Sequence, residues 1–253
     1  MVMVRGTLSG KVAIVTGGGG GIGRATACML AEDGADVAVV DLKAQGAQDT
    51  AQQVRALGRR ALALTVDVTD YDAVKRAVAA INAKLGTPLV TVSNAGTAGE
   101  TNPFHNENKA NLLDQLRVHV EGAYHWLRET IGPMRQAGWG RLVVTSSIAA
   151  TIGLRNGSSY AAAKGALIGL VRTVALENTS RGVTANCVLP GVIETDILKS
   201  LPPEQLEKMR RGNPAKRFGK PEDIAAAIAY LCSEQAGYVT GQCISPNGGL
   251  WFS

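Results

Sequence analysis

The chain has 253 residues, 45% hydrophobic and 19% charged, enough for one large domain or two small ones with a substantial core. That apolar share excludes a disordered chain, and no apolar run approaches the ~18 residues needed to cross a bilayer. Twenty-six basic against 21 acidic residues leave a net charge of +5, but the basic residues are dispersed. Their densest groups, at 59–60 and 208–211, lack interleaved aromatics, which speaks for a solvated surface and against nucleic acid.

From the N-terminus, strands are predicted at 12–16, 36–41, 61–67, 89–94, 141–146, 183–189 and 242–245, as mostly continuous apolar runs. Such runs suit a parallel sheet covered on both faces. Helices are predicted between them at 22–33, 45–57, 71–85, 112–137, 159–178 and 221–232; the first is expected to place Ala25, Met29 and Leu30 on one face. The alternation implies one doubly wound α/β domain over residues 1–253. The longest irregular stretch, about 191–214, reads as a lid or binding loop.

No apolar stretch follows Arg5, so no secretory signal is expected. Cys28, Cys187, Cys232 and Cys243 are far apart in sequence with no CxxC pair and read as reduced thiols of a cytoplasmic protein. His105, His119 and His125 form no ligand-spaced cluster, so no metal is expected.

The first chemical signal is Thr16-Gly-Gly-Gly-Gly-Gly-Ile-Gly23, between a strand and a helix. Glycines there let backbone N–H groups and the helix N-terminus approach a pyrophosphate. No Gly-Lys-Ser/Thr follows, which removes a Walker-type loop, and the spacing of Gly17, Gly21 and Gly23 differs from GxGxxG. Asp41 ends the second strand, 18 residues after Gly23. Its carboxylate either accepts from adenosine ribose hydroxyls and repels a 2′-phosphate, or caps a turn.

Two YxxxK strings occur. Tyr160 and Lys164 lie one helical turn apart, and Ser147 stands 13 residues before the tyrosine. Tyr71 and Lys75 have Gly58 at the equivalent position and read as surface. For Tyr160 to act as a base near neutrality, its pKa of about 10 must fall by roughly 3 units, or about 4 kcal/mol. A nearby ammonium and a positive nicotinamide are the expected sources.

Together with Asp67-Val68, Ser93-Asn94-Ala95-Gly96 and Pro190-Gly-Val-Ile-Glu-Thr195, these motifs resemble the short-chain dehydrogenase/reductase family over essentially the whole chain. The resemblance implies a Rossmann-type fold and hydride transfer between an alcohol or ketone and a nicotinamide cofactor. Tyr160 would be general base or acid, Ser147 would hold the substrate oxygen, and Lys164 would lower the tyrosine pKa and bind the ribose. Cofactor contacts are expected from Gly17, Gly20, Gly21, Ile22, Gly23, Asp41, Leu42, Asp67, Val68, Asn94, Ala95, Gly96, Tyr160, Lys164, Pro190, Gly191, Ile193 and Thr195. NAD is expected over NADP, because Leu42 follows Asp41 and Gly20 precedes Gly21 where NADP-preferring relatives often carry a basic residue. His119 replaces the asparagine that relatives place 28 residues before the serine; it is either a packing residue or a relay group titrating near neutrality. Substrate contacts are expected around 97–105, 153–158 and the loop after Gly191, with Ile193, Ile197, Leu198, Leu201 and Met209 as an apolar lining. A homotetramer is expected from family habit, with exposed Trp251 and Phe252 packing in it. The alternatives are a 3-oxoacyl-thioester reductase using NADPH and a non-catalytic dinucleotide-binding sensor.

Overall fold

Residues 7–195, 198 and 202–252 are described by the computed structural model. Seven strands, β1 (Val12–Thr16), β2 (Asp36–Asp41), β3 (Ala61–Thr65), β4 (Pro88–Ser93), β5 (Gly140–Thr145), β6 (Val183–Val188) and β7 (Cys243–Ile244), form one sheet. Their order is β3-β2-β1-β4-β5-β6-β7 and every pairing is parallel. The helices are α1 (Gly21–Glu32), α2 (Ala44–Ala56), α3 (Tyr71–Lys84), α4 (Lys109–Gln115), α5 (Gly122–Ala137), α6 (Ala149–Ile152), α7 (Ser158–Asn178), α8 (Pro203–Gly212) and α9 (Pro221–Cys232).

The core lies on both faces, as a parallel sheet requires. On one side Ala13, Val15, Val37 and Val39 meet Ala27 and Leu30 of α1 and Ile224 and Ile228 of α9. On the other, Ile14 and Val40 meet Val74, Ile81 and Trp126, while Leu142 and Val144 meet Leu127 and Leu167. Strand order reverses between β1 and β4, so the crevice at their carboxyl ends is where such a sheet takes a ligand. No helix among the described residues is long and apolar enough to cross a membrane.

Several expectations are corrected. The inner face of α1 is Gly23, Thr26, Ala27, Leu30 and Ala31; Ala25 and Met29 are half-buried. Leu30 lies in the core as expected, and Met29 packs against its edge. The helix expected at 112–137 begins at Lys109 and is interrupted by a π-helical turn, Leu116–Glu121. Within 191–214 stands α8, a very polar helix whose short apolar face, Leu206 and Met209, is only half-buried; Glu207 pairs with Arg210 and Arg211 on its surface. Cys187 and Cys243, remote in sequence, are direct partners across β6 and β7, and all four cysteines are free. Trp251 is half-buried, and only Phe252 is exposed. Arg5, Ile197 and Leu201 lie outside the described residues.

Candidate active site

The glycine loop is folded against the end of β4. Gly17 sits at φ +61°, and a Cβ there would stand 2.9 Å from Ala95 Cα. A Cβ on Gly23 would stand 2.0 Å from the Gly17 carbonyl oxygen, so no side chain fits where α1 meets the loop. Thr16 Oγ1 accepts from the amides of Asn94 and Ala95, both at 3.0 Å, and Asn94 Nδ2 donates to the Thr16 carbonyl at 3.3 Å. Gly20 and Gly21 face the opening, with Ile22 half-buried behind them. A Cβ on Gly21 would lie 3.5 Å from Thr195 Cγ2, so the 190–195 segment returns to the loop. The first turn of α1 has neither a side-chain cap nor an acidic residue. Its free N–H groups and positive dipole end fit the pyrophosphate of a dinucleotide.

Asp41 caps the turn that follows it and holds the glycine loop. Its Oδ2 accepts from the Gly19 amide and its Oδ1 from the Lys43 amide, both at 2.8 Å, latching the loop. Each oxygen keeps a lone pair for a ribose hydroxyl. Arg24, which sequence reasoning missed, braces the same turn by donating to the Gly19 carbonyl at 2.6 Å and to Thr50 Oγ1 at 3.0 Å. Leu42 and Asp67 are exposed and Val68 is buried, its carbonyl 2.9 Å from His125 Nδ1. Ile193 is a core residue bridged to Gly219, and the Gly191 amide donates to the Pro246 carbonyl. The Pro190 carbonyl accepts from the Ile148 amide.

Lys164 is 4% exposed, and its ammonium donates to the Thr145 carbonyl at 2.8 Å. Ser146 Oγ donates back to the Lys164 carbonyl at 2.8 Å, tying β5 to α7 in both directions. Burial lowers the lysine pKa to about 7. Its Nζ lies 5.7 Å from the Tyr160 ring centre. Burial raises the Tyr160 pKa and a hydrogen bond with Ser147 lowers it, with a net upward shift. Thus the hydroxyl of Ser147 favours the phenolate, whereas the expected lowering by the lysine is not seen in the protein alone.

His119 stands edge-on to Tyr160, ring centres 5.6 Å apart. Nε2 is 2.9 Å from the Thr97 carbonyl, so the ring proton is on Nε2 and Nδ1 is left as an acceptor. The Thr97 amide, 3.4 Å away, is the weaker neighbour. Burial and then the charge of Lys164 push the imidazole down to about 3. This corrects the expected titration near neutrality, because the histidine stays uncharged at every pH where the site would work. The structure therefore brings Ser147, Tyr160, Lys164 and His119 together beside Asn94, Ala95 and Gly96.

The other YxxxK pair shows the same 5.7 Å between ammonium and ring. There Lys75 is exposed, and the half-buried Tyr71 donates to Glu129 Oε1 at 2.6 Å. A groove of about 650 Å³ between α3 and α5, lined by Lys75, Asn82, Pro88 and Glu129, opens at the amino end of β4, away from the crevice. Around the crevice Leu198 and Met209 are half-buried, while Arg155 and Lys208 are exposed. Sequence reasoning also missed Glu107, Asn111 and Gln115, whose signal was a spacing of four leading to His119.

The neutral histidine has a consequence for acid stability. Below about 6.5 the unfolded chain protonates its imidazole, while the folded chain refuses that proton until about 3. The fold loses stability as pH falls through this window, with Lys164 and Tyr160 facing the ring. His119→Asn should flatten the fall of Tm between pH 6 and 4, and an unchanged slope would place the acid sensitivity elsewhere.

A family model described as Enoyl-(Acyl carrier protein) reductase matches residues 17–251. The chain is 37% identical over 239 residues to cis-4-hydroxycyclohexanecarboxylate dehydrogenase of Sinomonas cyclohexanicum, covering 94% of this chain and 96% of that protein. It is 35% identical over 247 residues to the 3-oxoacyl-[acyl-carrier-protein] reductase FabG of Pseudomonas aeruginosa, covering 98% and 100%. The crystal structure of levodione reductase aligns with a TM-score of 0.92 at 32% identity, over 96% of this chain and 98% of that one. The glycine loop, the Ser-Tyr-Lys geometry and these relatives agree along nearly the whole length: the chain belongs to the short-chain dehydrogenase/reductase family of nicotinamide-dependent oxidoreductases acting on CH–OH groups.

Proposed function

We propose that this chain is an NAD-dependent dehydrogenase that interconverts a secondary alcohol and a ketone, with Ser147, Tyr160 and Lys164 as catalytic residues. The observation that carries the reading is the buried ammonium of Lys164, 5.7 Å from the ring of a tyrosine whose pKa the Ser147 hydroxyl lowers against its burial. In oxidation, Ser147 Oγ–H holds the alcohol oxygen and Tyr160 Oη removes its proton. A bound oxidised nicotinamide would supply the hydride acceptor for the carbinol carbon and a positive charge beside that of Lys164. In reduction Tyr160 returns the proton to the same oxygen. Residues 1–253 act as one cofactor-binding domain, with the segment around α8 covering the substrate, in a cytoplasmic homotetramer.

Small cyclic alcohols and ketones are the first substrate class to test. Relatives include cis-4-hydroxycyclohexanecarboxylate dehydrogenase, cyclohexanol dehydrogenase and levodione reductase, at 37%, 33% and 34% identity. A second reading, reduction of 3-oxoacyl thioesters with NADPH, is favoured by FabG relatives at 34–35% identity. Against it stands the Asp41 carboxylate, which repels a 2′-phosphate. Turnover of a panel of cyclic alcohols, their ketones and 3-oxoacyl thioesters, with each nicotinamide cofactor, separates the two.

Tyr160→Phe removes the transferable proton and little volume. Turnover should fall by about 10²–10⁴ with cofactor affinity retained, while Tyr71→Phe should remain near wild type. Equal losses in both variants would reject the assignment.

Cofactor choice is tested at the loop. Asp41→Ala should narrow the preference for NAD over NADP in kcat/KM. Gly20 has extended backbone (φ −166°), and a Cβ there meets nothing within 4 Å. Gly20→Arg added to Asp41→Ala should therefore move the preference further toward NADP. A wild-type protein that prefers NADP would overturn the reading.

A further inference from the structure

Cys187 and Cys243 stand opposite each other in β6 and β7. Both lie on the face covered by α7. Cys187 is fully buried in the cluster that holds Leu167, Ile168 and Val171, and Cys243 packs against that cluster, half-buried. Cys187 Sγ reaches the Leu167 carbonyl at 3.9 Å. Neighbouring strands run about 4.8 Å apart, inside the roughly 4.4–6.8 Å between Cα atoms that a disulfide spans. One thiol of the pair is open to solvent and the other is not.

Local electrostatics separate the two further. The interaction with the Cys187 thiol pulls Cys243 down to about 7, helped by the charge of Arg172, while the same interaction and burial raise Cys187. Near neutrality a large share of Cys243 is therefore thiolate, the nucleophilic form. The other two cysteines are placed differently. Burial raises Cys28, whose Sγ donates to Gln53 Oε1 at 3.5 Å, and pushes Cys232 up to about 12. From Cys243 the chain runs on to the crevice. Ser245 Oγ donates to the Leu189 carbonyl at 2.9 Å, and the Gly191 amide donates to the Pro246 carbonyl at 3.2 Å. A Cβ on Gly191 would stand 2.8 Å from Asn247 Cα, so this strand end and the 190–195 segment are packed without slack.

We propose that Cys243 and Cys187 form an oxidative modification site for hydroperoxides, with Cys243 as the attacking thiol and Cys187 as the resolving one, and that their disulfide weakens dinucleotide binding. The Cys243 sulfur attacks the terminal oxygen of the hydroperoxide and the O–O bond breaks. The departing alkoxide (hydroxide, for hydrogen peroxide) takes a proton from solvent, and Cys243 is left as a sulfenic acid. The Cys187 sulfur then attacks Cys243 Sγ, the S–O bond breaks, and the hydroxyl leaves as water with the Cys187 proton. Two thiols are oxidised to one disulfide, and one hydroperoxide is reduced to an alcohol and a water. Cβ atoms that begin about a strand spacing apart must close to about 3.8 Å. The bond therefore draws β7 inward, and the 190–195 segment with it. The loss of dinucleotide affinity rests on the reading of the crevice above; the thiol chemistry does not.

The test treats the reduced full-length protein with hydrogen peroxide, blocks the remaining thiols with an alkylating reagent, maps the peptides by mass spectrometry and titrates NAD before and after. A Cys187–Cys243 disulfide within one chain is expected, with Cys28 and Cys232 still free. The NAD dissociation constant should rise severalfold and return with dithiothreitol. Cys187→Ala should stop the reaction at a sulfenic acid on Cys243, trapped by dimedone, and Cys243→Ser should leave both Cys187 and NAD affinity untouched by peroxide. Four free thiols in the treated wild type, or a bond from Cys243 to any other cysteine, would overturn the pairing, and that reading needs no variant to fold. A Cys187–Cys243 disulfide with unchanged NAD affinity would reject its coupling to the crevice. If the reduced protein binds no NAD, the dinucleotide reading fails while the peptide map still decides the thiol chemistry.

Discussion

The ammonium of Lys164 is almost fully buried, and its acceptor is the carbonyl that ends β5. Taking such a charge out of water is expensive, which is why burial pulls the lysine down to about 7. Something must hold the acceptor in place, and hydrogen bonds across neighbouring strand ends do so. Thr145 Oγ1 donates to Asn94 Oδ1 at 3.2 Å, and the Asn94 amide donates to Thr16 Oγ1 at 3.0 Å. Thr16 is the last residue of β1 and opens the glycine loop. The loop that fits the pyrophosphate and the lysine that faces the tyrosine are thus joined through β1, β4 and β5, adjacent strands of the sheet.

The same buried charge governs its neighbours. Burial first, and then the charge of Lys164 facing it in a medium that screens poorly, keep the His119 imidazole neutral. Neutrality in turn leaves Nδ1 as a bare acceptor with no protein partner among the described residues. The π-helical turn Leu116–Glu121 is where the helix carries this ring. Such single-turn π segments are frequent at functional sites.

Much of this was legible in the sequence because it is local. β-branched runs announce buried parallel strands, and the glycine string, Asp41 and the Ser147–Tyr160–Lys164 spacing each report on residues close in chain or on one helix face. What was not legible depends on distance in sequence or on the absence of an apolar signal. Helix α8 is so polar that its apolar face is reduced to Leu206 and Met209, both half-buried, too short a signal to mark a helix. The latch between Asp41 and Gly19 is an interaction across 22 residues, visible only once β2 and the loop are side by side. Cys187 and Cys243 meet because β7 adds to the sheet edge beside β6, a register that composition does not reveal. Gln115 was missed for a different reason: a polar residue in a helix reads as solvent-facing until the stretch 96–100 is found lying over it.

The two YxxxK strings show what a motif leaves undecided. Both put an ammonium 5.7 Å from a phenol ring, so spacing and distance are identical. In the first, Lys75 is solvated and its field is screened, and Tyr71 donates to Glu129, whose hydrogen bond raises the phenol and whose charge raises it further. In the second, the lysine is buried, no carboxylate among the described residues accepts from the tyrosine, and a serine hydroxyl favours the phenolate. The second pair also lies at the carboxyl end of the sheet, where the strand order reverses and the glycine loop opens. Spacing places a phenol near an ammonium; burial and the remaining hydrogen-bond partner decide whether that phenol does chemistry.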